Sequence, residues 1–78
     1  MPIIATINYL IVRMYFKDHA PPHFHVEGDE TNGLFAIQTL QMFEGNLSSK
    51  EQKIIKEWAT DKQEILFEMW ETQKITKI

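Results

Sequence analysis

Leu10-Ile11-Val12-Arg13-Met14-Tyr15-Phe16-Lys17 alternates in character, and this period of two decides how the N-terminal half of the chain folds. Leu10, Val12, Met14 and Phe16 share one face, and Ile11, Arg13, Tyr15 and Lys17 the other, so the stretch reads as a half-buried strand. Asp18-His19-Ala20-Pro21-Pro22 cannot prolong it, because proline lacks the ladder donor and restricts the residue before it. A stiff loop is expected there. His23-Phe24-His25-Val26-Glu27 then alternates again, with Phe24 and Val26 facing a core and the histidines and Glu27 facing away from it.

Working outward, Gly28 to Gly33 is rich in turn formers, and Leu34 to Thr39 reads as a third strand. Met42 to Glu44 adds a short fourth across a turn at Thr39 to Gln41, and Ile3 and Ile4 pair at an edge. Ser48 with Glu51 three residues later forms the capping box of a helix expected to run to about Gln73. Ile54, Ile55, Trp58, Ala59, Ile65, Leu66, Met69 and Trp70 make its apolar stripe, which Lys62 interrupts. At roughly 1.5 Å per residue that helix approaches 40 Å, longer than a small sheet covers, which leaves Trp70 at a free end for a partner. The expected class is α+β: a small antiparallel sheet of three to four strands followed by one long C-terminal amphipathic helix, in a single domain over residues 1–78.

The chain has 78 residues, enough for one core. It contains no cysteine, which removes disulfides and thiolate metal sites and fits a reducing, cytoplasmic setting. A hydrophobic share of 44% and an aromatic share of 12% argue against disorder. No apolar run reaches the roughly 20 residues of a membrane span, and no signal-peptide pattern opens the sequence. The net charge of −3 does not support nucleic-acid binding, which then depends on a local basic patch.

All three histidines lie between Asp18 and His25. With the five-residue loop in simple register, Lys17 faces His23, Tyr15 faces His25 and Arg13 faces Glu27. Three readings of this patch compete. In the first it is a solvated sheet face, with Arg13 and Glu27 a surface pair worth at most about 1 kcal/mol. In the second, His23 and His25 on one strand face, with His19 or Asp18 from the loop, ligate zinc. His-x-His on a strand is weakly specific and shows no partner to orient the rings, so no metal and no cofactor is assigned, and purified protein is expected to hold substoichiometric zinc.

The third reading is metal-independent cleavage of a phosphodiester such as RNA. The histidines His19, His23 and His25 move protons, Glu27 acts as a base, Arg13 or Lys17 stabilises phosphate charge, and Tyr15 stacks a base or donates a proton. A non-catalytic binding surface would use the same groups, with Asp18 at its rim. Trp58 is expected in the core, and Trp70 is assigned to binding.

Arg13-Met14-Tyr15-Phe16-Lys17-Asp18-His19-Ala20-Pro21-Pro22-His23-Phe24-His25-Val26 resembles the signature of the domain-of-unknown-function 4160 family of short bacterial proteins. Phe43-Glu44-Gly45 and Glu57-Trp58-Ala59 match as well, so the resemblance covers nearly the whole chain. The motif positions are Arg13, Tyr15, Asp18, His19, Pro21, Pro22, His23, Phe24 and His25. Leu40 stands where members commonly have Gly, and Ser48 where they commonly have Pro. The resemblance implies a component of a toxin–antitoxin-like two-protein module, whose partner is a small protein from a neighbouring gene or a second copy of the chain. A small ribonuclease and a metal-binding domain are the alternatives.

Overall fold

The computed structural model describes residues 3–78; Met1 and Pro2, the first residues of the domain expected over 1–78, lie outside the described residues. Five strands follow one another as an antiparallel meander: β1 (Ile3–Ile7), β2 (Leu10–Arg13), β3 (His23–Glu27), β4 (Asn32–Ala36) and β5 (Met42–Gly45). Two helices complete the chain, α1 (Ser49–Ala59) and α2 (Gln63–Thr72). The α+β class is as expected, with one strand more than the expected three to four and two helices where one was expected.

The first strand boundary moves for a local reason. β2 ends at Arg13, and Lys17 adopts a left-handed φ of 55° that folds the chain back. Leu10, Val12 and Met14 are fully buried as the alternation predicts, but Phe16, beyond the strand, is exposed. β4, the strand expected over Leu34 to Thr39, likewise stops at Ala36, because Leu40 takes φ 58° and its N–H donates to the Ala36 carbonyl at 2.7 Å. The turn thus precedes the expected Thr39 to Gln41 position, and Leu40 serves it while its side chain stays buried. Gly45 on β5 has φ +121°, and a Cβ there would collide with the Asn32 carbonyl oxygen and the Gly33 Cα across the ladder.

The core lies between the inner sheet face and the helices. Phe24 stacks on Phe35 with ring centroids 5.4 Å apart, and Trp58 of α1 meets Phe24 edge-on at 6.1 Å. Ile55, Ala59, Leu66 and Met69 supply the buried apolar positions of the helices. The single long helix is overturned by size and by Lys62: the molecule is 31 Å in its longest dimension, too short for a straight helix of about 38 Å. The chain breaks over residues 60–62, where the Lys62 ammonium donates to the Trp58 carbonyl at 3.3 Å and lies 5.5 Å from the Trp58 ring centroid. After the break, Leu66 and Met69 return to the core instead of running past it. Among the described residues, no helix is long and apolar enough to cross a membrane.

Candidate metal centre

β3 carries His23 and His25 two residues apart, so both rings leave the same sheet face. The neighbouring ladder pairs Arg13 with His25, Val12 with Val26 and Ile11 with Glu27. This is two residues away from the expected register. A shift of two keeps every side chain on its face and changes only its neighbours. Arg13 still reaches Glu27, now diagonally, with Nε 3.0 Å from Oε2. Tyr15 still meets His25, ring edge to ring face at 4.3 Å. Lys17 does not face His23; it is exposed beyond the strand, and the ladder partner of His23 is Ala36 on β4.

Asp18 draws the two histidines together. The Nε2 atoms of His25 and His23 lie 2.9 and 3.0 Å from the same oxygen, Asp18 Oδ2. The other carboxylate oxygen, Oδ1, accepts the His19 backbone N–H at 2.9 Å. Burial alone would raise the Asp18 pKa. The His25 and His19 hydrogen bonds, with the charges of His23 and His25, outweigh it and hold the carboxyl below its usual range. His19 contributes through its backbone, and its side chain is exposed.

His23 Nδ1 lies 2.7 Å from the Pro21 carbonyl oxygen, on the far side of a cis Ala20–Pro21 peptide. A carbonyl can only accept, so Nδ1 carries the proton. A neutral His23 then points the Nε2 lone pair at a carboxylate oxygen. Only a proton on Nε2 or a cation between the two atoms makes that contact favourable.

The expectation that both histidines face water holds in part. His25 is half-buried, but His23 is 6% exposed, because Trp70 of α2 and Phe43 of β5 close over it at 5.2 and 5.7 Å between ring centroids. Trp70 is therefore no free helix end: it is half-buried and forms a wall of the cluster. Phe24 and Val26 face inward as expected, at 0% and 1% exposure.

Among the described residues, Asp18, His23 and His25 are the one group of three or more such side chains close enough to hold a metal ion, with ligand atoms within 4.8 Å of one another. Ligands of a tetrahedral zinc site are about 3.3 Å apart, from bond lengths of about 2.0–2.1 Å, so each imidazole nitrogen, now 2.9 or 3.0 Å from Asp18 Oδ2, would part from it by a few tenths of an ångström to admit one. The Pro21 carbonyl fixes the orientation of the His23 ring, a role its residue type does not announce in sequence.

A second polar cluster is structural. Glu51 is buried and closes the capping box with Ser48, whose N–H donates to it at 2.9 Å. It also accepts the Tyr9 hydroxyl and, at 3.2 Å, the Thr31 hydroxyl. The Tyr9 hydrogen bond, foremost, and those from Ser48 lower the Glu51 pKa, and the same contact with Glu51 raises that of Tyr9. The cap was legible in sequence, the tie to Tyr9 and Thr31 was not.

No curated protein and no solved structure matches this chain. A family model described as a domain of unknown function, DUF4160, matches residues 10–71, a span that holds the Asp18, His23 and His25 cluster and both of its aromatic walls. The chain belongs to the DUF4160 family.

Proposed function

We propose that this chain is a metal-binding domain in which Asp18, His23 and His25 hold one divalent cation of the zinc class. The observation that carries this reading is the convergence of two imidazole Nε2 atoms on one Asp18 oxygen while the Pro21 carbonyl fixes the His23 proton on Nδ1. Two neutral imidazoles and a carboxylate suit borderline cations such as zinc, and three protein ligands leave a position for water or another ligand. A cation held this way supplies Lewis acidity, while Asp18 lies at a pH-7 charge of −1 without help from the ion.

Titration of chelator-treated protein with Zn²⁺, followed calorimetrically, tests the reading, with Co²⁺ as an absorbing substitute. One ion per chain is expected, lost in Asp18→Asn and in the His23→Ala, His25→Ala double variant. Failure of the folded wild type to bind either ion sinks it.

The metal-independent ribonuclease reading is favoured by one observation, the Arg13 guanidinium paired with the Glu27 carboxylate at 3.0 Å on the sheet face that carries His25. Cleavage of an oligoribonucleotide in excess chelator, abolished by His25→Ala, would support it instead. Membership of a toxin–antitoxin-like two-protein module rests on the family resemblance and is tested by co-purification with the neighbouring gene product.

A further inference from the structure

We propose that Gln73, at the C-terminal end of α2, is a positioning residue for the Asp18, His23 and His25 cluster; the inference rests on the metal-binding reading and extends it to a residue 55 positions from Asp18 in sequence. Asp18 follows directly on Lys17, an exposed residue with φ 55°. The Lys17 backbone N–H donates to Gln73 Oε1 at 2.7 Å. The amide is held the right way round, because Gln73 Nε2 donates to the Trp70 carbonyl at 2.7 Å and that oxygen can only accept.

Gln73 itself has φ 62° and ψ 18°, the left-handed conformation at a helix end that glycine adopts most easily. A backbone position suited to Gly thus holds a residue whose side chain makes two bonds that Gly cannot. Trp70, whose carbonyl takes one of them, presses its ring on His23. One turn of α2 therefore reaches the Lys17–Asp18 segment through Gln73 and His23 through Trp70. Partners bonded directly to a ligand commonly alter metal affinity about 10–100-fold when removed, and Gln73, which acts through the peptide before Asp18, should lie at the lower end of that range.

The test compares Zn²⁺ affinity, by competition with a chromophoric chelator, and melting temperature in full-length wild type, Gln73→Gly and Gln73→Glu. Gln73→Gly relieves the left-handed backbone but gives up both side-chain hydrogen bonds, so it should melt within a few degrees of wild type, and yet bind Zn²⁺ about tenfold more weakly. Gln73→Glu keeps an oxygen for the Lys17 N–H but turns a second acceptor toward the Trp70 carbonyl, so its Zn²⁺ affinity should fall between those of wild type and Gln73→Gly. The inference is overturned if Gln73→Gly binds as wild type does, if its affinity falls only because the melts show it unfolding at the assay temperature, or if Gln73→Glu loses as much as Gln73→Gly. A wild type that binds no Zn²⁺ overturns the metal-binding reading and this inference with it, whereas tight wild-type binding that Gln73→Gly leaves intact overturns this inference alone.

Discussion

The indole of Trp70 lies 5.2 Å from the imidazole of His23, centroid to centroid, with the planes inclined at 51°. Trp70 is thereby both a partner of the core and a cover for the cluster. Being half-buried, it should cost about 2 kcal/mol of stability when cut to Ala, below the 3–5 kcal/mol of a fully buried aromatic. Trp58, also half-buried and edge-on to Phe24, should cost at least as much. Thermal melts of Trp70→Ala and Trp58→Ala decide this. A Trp70→Ala variant as stable as wild type would contradict its place in the core.

The same contact makes Trp70 a reporter. In a Trp58→Phe background only Trp70 emits, and Zn²⁺ bound at His23 should change its intensity in step with occupancy. The Asp18→Asn variant should remove the response. A Zn²⁺-dependent signal that persists in that variant would place the ion elsewhere.

Much of this was legible from residue order, and the misses share a cause. The β3 alternation, the facing of Phe24 and Val26 and the Ser48 and Glu51 cap are local, set by period and by hydrogen bonds within a few residues. The register beside β3 and the break at Lys62 depend on how the whole molecule closes. Which side chains would gather on the sheet face could be read, since parity survives a two-residue slip. The wall of Trp70 and Phe43 over His23 could not, because it joins elements far apart in sequence.

Stability should fall at both ends of the pH range for separate reasons. Asp18 and Glu51 have folded pKa values below their ordinary ones, so the stability they add is present above about pH 4–4.5 and is lost as pH falls through the folded values. Tyr9 is raised above its ordinary 10.0, so its contribution is present below that and lost as pH rises through the folded value. Denaturant melts across pH should show a shallower acid limb in Asp18→Asn and a shallower alkaline limb in Tyr9→Phe. Limbs unchanged from wild type would remove these groups from the pH response.

Ser48→Ala tests the cap. The Ser48 hydroxyl accepts the Glu51 N–H at 3.1 Å, and losing such an N-cap typically costs about 1 kcal/mol. For a domain this small that is a fall of about 4–8 °C in melting temperature. A change under about 1 °C would mean that the remaining Glu51 contacts hold the helix start unaided.

Leu40 and Lys17 share nearly the same left-handed backbone, with φ 58° and 55°, yet glycine should act on them in opposite directions. A non-glycine residue in that region is disfavoured by about 1–2 kcal/mol, and glycine recovers this less about 0.5–1 kcal/mol for its freer unfolded chain. At Lys17, which is exposed, little else changes, so Lys17→Gly should stabilise by up to about 1.5 kcal/mol and raise the melting temperature by a few degrees. Leu40 is buried at 8% exposure, and deleting a buried Leu side chain typically costs about 2–5 kcal/mol. Burial outweighs the backbone gain there, so Leu40→Gly should destabilise by at least about 0.5 kcal/mol. Paired melts of the two variants give the answer directly: if both rise, the Leu40 side chain contributes little to the core, and if both fall, the backbone at Lys17 is not strained.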